Sequence, residues 1–177
     1  ILNVADVQWN GGEKNITIIG KEMDEKYLAM VKGLSIYPEV CKAQQDLKIV
    51  YTPIHGSGIM LVPQALAQLG FKNVHIVEEQ SKPDGNFPTV QYPNPEETET
   101  MSIGLKKAEE LNADILLGTD PDADRVGIGL KNNEGKWILL NGNQTACICL
   151  YYRSEEGKRN CPTQRHGNKN HCYYLHD

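Results

Sequence analysis

Apolar residues along the chain follow two spacings, one typical of strands and one typical of helices. An apolar run opens the segment 47–58 and a nearly continuous one fills 113–120, as expected for strands buried on both faces. Residues 73–80 predict another strand. Apolar residues at helical spacing lie between these runs, in 60–70 and again after Asn94. Because strands alternate with helices, the pattern predicts an α/β fold with a mixed, mostly parallel sheet flanked by helices.

Further elements are predicted at the two ends of this pattern. Residues 15–20 alternate between apolar and polar and predict a short strand, and Asp24 is expected to cap a helix that follows it. Residues 126–140 predict a terminal β-hairpin with its turn at 133–135, and 142–152 begins another helix.

Two helix boundaries carry specific signals. Asn94 followed by Pro95 and two acidic residues predicts a helix start with Asn94 as its cap. Gly70 predicts the end of the 60–70 helix, in which Pro63 is tolerated only in the first turn. The polar stretch 37–46 is expected to be a connection.

Composition narrows the classes of protein that this chain can represent. The formal net charge is -5 and the pI is about 5.6, which predicts no nucleic acid partner. No apolar run is long enough to cross a bilayer, so no membrane partner is expected. The five cysteines form an odd number without a dense framework, which favours free thiols in a reducing cytoplasm.

The most distinctive chemistry follows the apolar run that ends near residue 119. Asp120, Asp122 and Asp124 occupy alternating positions, and Arg125 comes directly after them. In an extended segment, alternate side chains share a face, so the three carboxylates can converge on one point. Hard anionic oxygens are the ligands that Mg²⁺ prefers, and an arginine is suited to phosphate. In α/β sheets, ligands bind beyond the carboxyl ends of the strands, where this segment lies.

Other families also use closely spaced aspartates. An EF-hand calcium loop is excluded, because it requires Gly and Glu where this chain has Arg125 and Lys131. A haloacid-dehalogenase-like phosphatase, with Asp120 as nucleophile and Asp122 as general acid, remains an alternative. It fits less well, because that family usually has Thr or Val in place of Asp124, and no obvious partner Ser/Thr and Lys segments follow. A metal- or phosphate-binding module without catalysis is the other alternative.

Three segments in register resemble the second domain of the α-D-phosphohexomutases, of the phosphoglucomutase/phosphomannomutase type found in bacteria. They are "TPIHGSG" (52–58), "FPTVQYPNPEE" (87–97) and "TDPDADR" (119–125), and the resemblance runs from about residue 15 to about residue 147. It implies an isomerase that interconverts hexose 1-phosphates and 6-phosphates through a phosphoserine and a bisphosphate sugar. It also implies Mg²⁺ as cofactor and glucose 1,6-bisphosphate as an activator of the full enzyme.

The resemblance assigns roles to individual residues. Asp120, Asp122 and Asp124 would hold the Mg²⁺ that also binds the phosphoserine, and Arg125 would lie beside that phosphate as the catalytic residue. His55 would lie at the edge of the active site, or it would only cap the turn that follows its strand. The neighbouring glycines at 56 and 58 are interpreted as a tight turn rather than a phosphate cradle.

Segments typical of the rest of the family are missing from this chain. No Ser-His-Asn-Pro type phosphoserine loop and no Gly-Glu-Glu-Ser-Gly-like sugar-selecting loop occur in it. We therefore expect a fragment, in which 1–45 is a linker and helix leading from a missing first domain. Residues 46–140 would form the metal-binding domain, 141–152 would start a truncated third domain, and 153–177 would be an atypical, disordered tail.

The tail has its own candidate site. It gathers cysteines and histidines that could bind zinc: Cys161, His166, His171, Cys172 and His176. Their spacings match no common zinc finger, so disorder is the preferred prediction.

Overall fold

The computed structural model describes residues 3–7 and 12–160, with side chains described as far as residue 154. The helices are α1 (Lys21–Gly33), α2 (Pro38–Ala43), α3 (Val62–Gln68), α4 (Thr98–Glu110) and α5 (Gly142–Asn160). The strands are β1 (Lys48–Thr52), β2 (Asn73–Ile76), β3 (Ile115–Thr119), β4 (Val126–Lys131) and β5 (Trp137–Leu140).

The five strands form one open sheet in the order β2-β1-β3-β4-β5. Strand β1 pairs in parallel with β2 and β3, whereas β4 is antiparallel to both of its neighbours. Four of the five strands therefore run in one direction. This confirms the predicted mixed, mostly parallel sheet flanked by helices, and the β4–β5 hairpin is the predicted terminal hairpin. The carboxyl ends of β1 and β3 consequently lie side by side at one edge of the sheet.

The core lies between α4 and the centre of the sheet. Its buried cluster comprises Val50, Ile54, Val77, Met101, Ala108, Ala113 and Leu116. Helix α4 approaches the sheet closely, because a Cβ at Gly104 would come within 2.8 Å of Leu116 Cδ1. Burial of these side chains is the main favourable term that fixes β1 and β3 beside each other.

The region before β1 differs from the prediction. Residues 15–20 do not form a strand: a short 3₁₀ turn covers Glu13–Asn15, and the isoleucines at 16, 18 and 19 are exposed. Helix α1 begins at Lys21 with Gly20 as its N-cap, so Asp24 lies within its first turn rather than capping it. The predicted connection 37–46 contains helix α2, which has a proline in its first turn.

Two element boundaries later in the chain also differ from the prediction. Strand β2 ends at Ile76, and a 3₁₀ turn occupies Glu78–Gln80, so the predicted 73–80 strand is too long. Helix α4 begins at Thr98 with Glu97 as its N-cap. Asn94 instead accepts a hydrogen bond from the Glu96 N–H at 3.1 Å, which closes a turn before the helix. By contrast, α3 ends as predicted, with Gly70 at a φ of 103°.

Helix α5 extends further than the sequence suggested. It continues through residue 160, so the first eight residues of the predicted tail, 153–160, are helical. Tyr152 of this helix packs edge-to-face on Tyr37, with ring centroids 4.9 Å apart, and its hydroxyl accepts the Tyr37 N–H. Residues 161–177, with the cysteine and histidine cluster, lie outside the described residues. The predicted division at 45, 140 and 152 stays a prediction.

Among the helices in the described part of the chain, none combines the length and apolar character that a membrane span requires.

Candidate metal centre

The three aspartates lie in a tight loop that starts where β3 ends. We call residues 120–125 the acidic loop. The N–H of Ala123 donates to the Asp120 carbonyl at 3.0 Å, and the Asp120 N–H donates to the Arg125 carbonyl at 3.4 Å. Ala123 has a φ of 61°, which is uncommon for a residue with a side chain. The chain therefore turns back on itself here and enters β4.

The carboxylates do converge, but the predicted reason is wrong. Asp120, Asp122 and Asp124 each offer an oxygen within 4.8 Å of the other two. The turn brings them together, whereas an extended segment with alternating side chains was expected. Asp120 is buried, with 1% of its surface exposed, and the other two are exposed. The centre thus has one buried wall and is open to solvent on the other side.

Arg125 anchors the buried carboxylate from within the same loop. Its backbone N–H donates to Asp120 Oδ1 at 3.0 Å, and its Nε donates to Asp120 Oδ2 at 2.7 Å. Burial raises the pKa of Asp120, but these hydrogen bonds lower it more, so the net pKa lies below the ordinary value. Asp120 is therefore an anion at neutral pH, with lone pairs left for a further ligand.

Asp124 shows the opposite shift. A side-chain hydrogen bond with Asp120 raises its pKa, and the charges of Asp122 and Asp120 raise it further. The Arg125 Nε lies 3.8 Å from Asp124 Oδ1 and offsets only part of this effect. The loop therefore holds more negative charge than its own arginine neutralises.

This donor set fits a hard divalent cation. Oxygens that share an octahedral shell around Mg²⁺ lie roughly 3–4 Å apart, because each is about 2.0–2.1 Å from the ion. The three carboxylate oxygens lie within 4.8 Å of one another, which is close to that range, and two of the side chains are exposed. Three carboxylates that repel one another gain most from a cation between them.

His55 has a structural environment. It is 4% exposed, its Nδ1 lies 3.0 Å from the Lys82 carbonyl, and its Nε2 lies 2.8 Å from Thr89 Oγ1. If Nδ1 carries the proton, the ring donates to Lys82 and accepts from the Thr89 hydroxyl. Both ring nitrogens thus hold the 81–95 loop against the end of β1. The ring therefore has a structural role, but it holds the 81–95 loop rather than capping the turn at 56–58.

Sequence reasoning missed a pair of hydrogen-bonded hydroxyls, one of which directly precedes the acidic loop. Tyr51 Oη lies 2.8 Å from Thr119 Oγ1, and both side chains are buried at the ends of β1 and β3. Burial raises the pKa of Tyr51, so its phenol is neutral and available for this hydrogen bond. In the sequence both residues lie in apolar strand runs, and nothing there distinguishes them from ordinary strand residues.

The structure thus combines an open α/β sheet with three carboxylates that converge at the end of a central strand, a donor set that suits a divalent cation. The family model described as "Phosphoglucomutase/phosphomannomutase, alpha/beta/alpha domain II" matches residues 25–135, which include the whole acidic loop. The chain belongs to this family.

Individual relatives agree with the family match. A probable phosphomannomutase of Haemophilus influenzae is 34% identical over 142 residues, which cover 80% of this chain and 28% of the relative. A phosphoglucomutase of Staphylococcus aureus is 40% identical over 136 residues, covering 77% of this chain and 24% of the relative. The chain therefore spans about a quarter of the length of these relatives.

A solved structure shares the fold. The crystal structure of a protein from Thermus thermophilus, provisionally named a phosphomannomutase, gives a TM-score of 0.60 at 23% identity. The match covers 76% of this chain and 29% of that one, and at this identity it supports the fold alone. Together, the comparisons do not favour the haloacid-dehalogenase alternative.

Proposed function

We propose that this chain supplies the Mg²⁺-binding part of a phosphohexomutase, an isomerase that interconverts hexose 1-phosphates and 6-phosphates. Asp120, Asp122 and Asp124 would hold the ion, and Arg125 would contact the phosphate. The observation that carries the proposal is the convergence of three carboxylates within 4.8 Å in a family member. Glucose 1,6-bisphosphate would activate the full enzyme. The same proposal makes the protein a cytoplasmic enzyme of carbohydrate metabolism.

The chemistry of phosphoryl transfer explains why such a loop is useful. The reaction depends mainly on positioning and on neutralising the charge of the transferred group. Mg²⁺ bound by the aspartates would polarise a phosphate oxygen and offset its charge. The side chain of Arg125 is 56% exposed, and its Nε bond to Asp120 fixes its direction. A guanidinium has five N–H donors, so others remain for a phosphate oxygen.

A Mg²⁺ titration of the purified chain, monitored by amide chemical shifts, tests the metal assignment. We expect the largest shifts at residues 118–126, with weak affinity because a phosphate often completes such a site. Asp122→Asn should weaken binding at least about tenfold, since it removes a direct ligand. Glu134→Gln is the matched control, because it removes an exposed acid from the turn between β4 and β5. Shifts centred elsewhere, or equal losses in both variants, would contradict the assignment.

A further inference from the structure

We propose that the turn formed by Gly56, Ser57 and Gly58 is a positioning element that holds the acidic loop in its metal-binding conformation. This inference rests on the proposed function, because the conformation matters through the cation that it would serve. We call residues 56–58 the clamp turn. It follows β1, and it contacts the chain at residues 119–121, on the neighbouring strand end.

Two hydrogen bonds join the clamp turn to one carbonyl of the acidic loop. The Ser57 N–H donates to the Pro121 carbonyl at 2.8 Å, and the Ser57 hydroxyl donates to the same oxygen at 3.1 Å. Pro121 lies between Asp120 and Asp122 in sequence, so this carbonyl belongs to the backbone that links two of the carboxylates. Its position sets the direction in which the loop leaves β3.

Both glycines of the clamp turn are required by contact. A Cβ at Gly56 would overlap the backbone of Pro121, and a Cβ at Gly58 would come within 2.6 Å of Thr119 Oγ1. Gly56 has φ -105° and ψ -178°, an extended conformation that any residue adopts. Its lack of a side chain therefore serves the close approach to the loop rather than an unusual backbone angle.

The clamp turn is itself anchored to the core. The His55 N–H donates to the Gln80 carbonyl at 2.9 Å, and the Gln80 side chain accepts the Thr52 hydroxyl at 2.6 Å. Ile54 and His55 both have positive φ, at 47° and 57°, which only a well-determined surrounding structure maintains. The clamp turn is thus fixed to the end of β1, and its hydrogen bonds to Pro121 restrict the motion of the largely exposed acidic loop.

This arrangement has a direct consequence for metal binding. A loop that is already in place loses less conformational entropy when it binds an ion, so its affinity is higher. Outer groups that orient metal ligands typically change affinity by about 10–100-fold when they are altered. Gly56→Ala, which displaces Pro121, should therefore weaken binding by about that factor. Ser57→Ala retains the N–H donor and should weaken it by roughly two- to tenfold, the value of one hydrogen bond.

The experiment uses the whole chain and Mn²⁺, a hard cation with the same preference for six oxygen ligands. Electron paramagnetic resonance gives the fraction of Mn²⁺ bound, and hydrogen exchange of the metal-free chain reports loop opening at the amides of Ala123 and Arg125. We expect weaker Mn²⁺ binding and faster exchange in Gly56→Ala and Ser57→Ala. Ser57→Thr should restore both properties. Gly85→Ala is the matched control, because nothing lies within 4 Å of a Cβ there.

The possible results distinguish a failure of the inference from a failure of the proposed function. If both variants fold, bind Mn²⁺ as the original chain does and exchange at unchanged rates, the inference is wrong and the proposed function stands. If the original chain binds no Mn²⁺, the proposed function fails. The link to metal binding then fails with it, and exchange in the metal-free chain decides only whether the clamp turn holds the conformation of the acidic loop. If Gly56→Ala does not fold, Ser57→Ala and its threonine rescue decide the question.

Discussion

Asp120 and Asp124 carry pKa shifts of opposite direction, although they lie in the same short loop. Asp120 accepts two N–H groups from Arg125, which favour its charged form. Asp124 faces two other carboxylates, and the Arg125 Nε is 3.8 Å away. The trio is therefore asymmetric: one member is a fixed anion, and another accepts a proton more readily than an ordinary aspartate.

This asymmetry predicts that Asp124→Asn stabilises the metal-free chain at neutral pH. A carboxyl whose pKa is raised on folding binds more protons in the folded state, so its contribution falls as pH rises from the ordinary value near 3.8 through the folded pKa. Asp124→Asn removes the carboxylate charge, so this loss of stability with rising pH no longer occurs. The midpoint of thermal unfolding should be higher in Asp124→Asn than in the original chain at pH 7, and the two should agree near pH 3.

Saturating Mg²⁺ provides the internal check on this prediction. It should stabilise the original chain more than the variant, since binding to the folded state adds stability by mass action. A variant that is less stable at pH 7 without metal would show that Asp124 makes a favourable contact that outweighs the repulsion.

Among the elements, those with continuous apolar runs were predictable from the sequence. Strands β1 and β3 lie where the runs predicted them, because burial on both faces excludes polar residues from most positions. The alternation of apolar and polar residues in 15–20 led to a wrong strand prediction. A strand also needs a neighbouring strand for its backbone hydrogen bonds, and the local sequence does not show whether one is present. The isoleucines there remain exposed.

The start of α4 and the shape of the acidic loop show a different limit. An asparagine that accepts the N–H two residues later occurs both in an N-cap and in a separate turn, so Asn94 fits either position. In the acidic loop, the convergence of the three carboxylates was predicted, but the backbone conformation that produces it was not. Alanine rarely adopts positive φ, so the residue type at Ala123 carries no signal for the turn there.

Gly127 in β4 tests the packing of the hairpin against the turn before α4. A Cβ at this position would overlap the Pro95 carbonyl, so Gly127→Ala should cost about 1–3 kcal/mol of unfolding free energy through overpacking. Gly33→Ala, at the end of α1 with nothing within 4 Å, should instead be neutral or stabilise by up to about 1 kcal/mol. Urea unfolding measures both, and an equal effect in both variants would refute the contact.

The 81–95 loop contains a pH-dependent contact at Asp84. The backbone N–H of Asn86 donates to Asp84 Oδ1 at 2.9 Å and lowers the pKa of that carboxyl. A lowered pKa in the folded state gives stability that is present above the ordinary value near 3.8 and is lost as pH falls through the folded pKa. The advantage of the original chain over Asp84→Asn in urea unfolding should therefore shrink below about pH 4. If the unfolding free energies of the original chain and Asp84→Asn change with pH in parallel, the proposed effect of this hydrogen bond is wrong.

For the molecule as a whole, the sheet edge brings together parts that are distant in sequence. The clamp turn follows β1, the acidic loop follows β3, and the parallel pairing of these strands places both at one edge. The centre thus depends on the fold rather than on the acidic segment alone. It provides carboxylates, which can bind a cation, and an arginine, which can neutralise the charge of a phosphate. The sequence contains no Ser-His-Asn-Pro segment, which the proposed mechanism would use as phosphoryl donor.

We therefore expect the 177-residue chain alone to have no mutase activity. Correct orientation of reacting groups can account for about 7–11 kcal/mol of barrier lowering, and here the donor is missing. Ser57, the serine that contacts the acidic loop, directs its hydroxyl to the Pro121 carbonyl and is no substitute. The assay supplies glucose 1-phosphate, a trace of glucose 1,6-bisphosphate and Mg²⁺, and it measures glucose 6-phosphate with a full-length phosphoglucomutase as positive control. Turnover that Asp120→Ala abolishes would show a complete active site in this chain. Release of free phosphate, with an acid-labile phosphate on Asp120, would instead indicate an aspartyl-phosphate phosphatase.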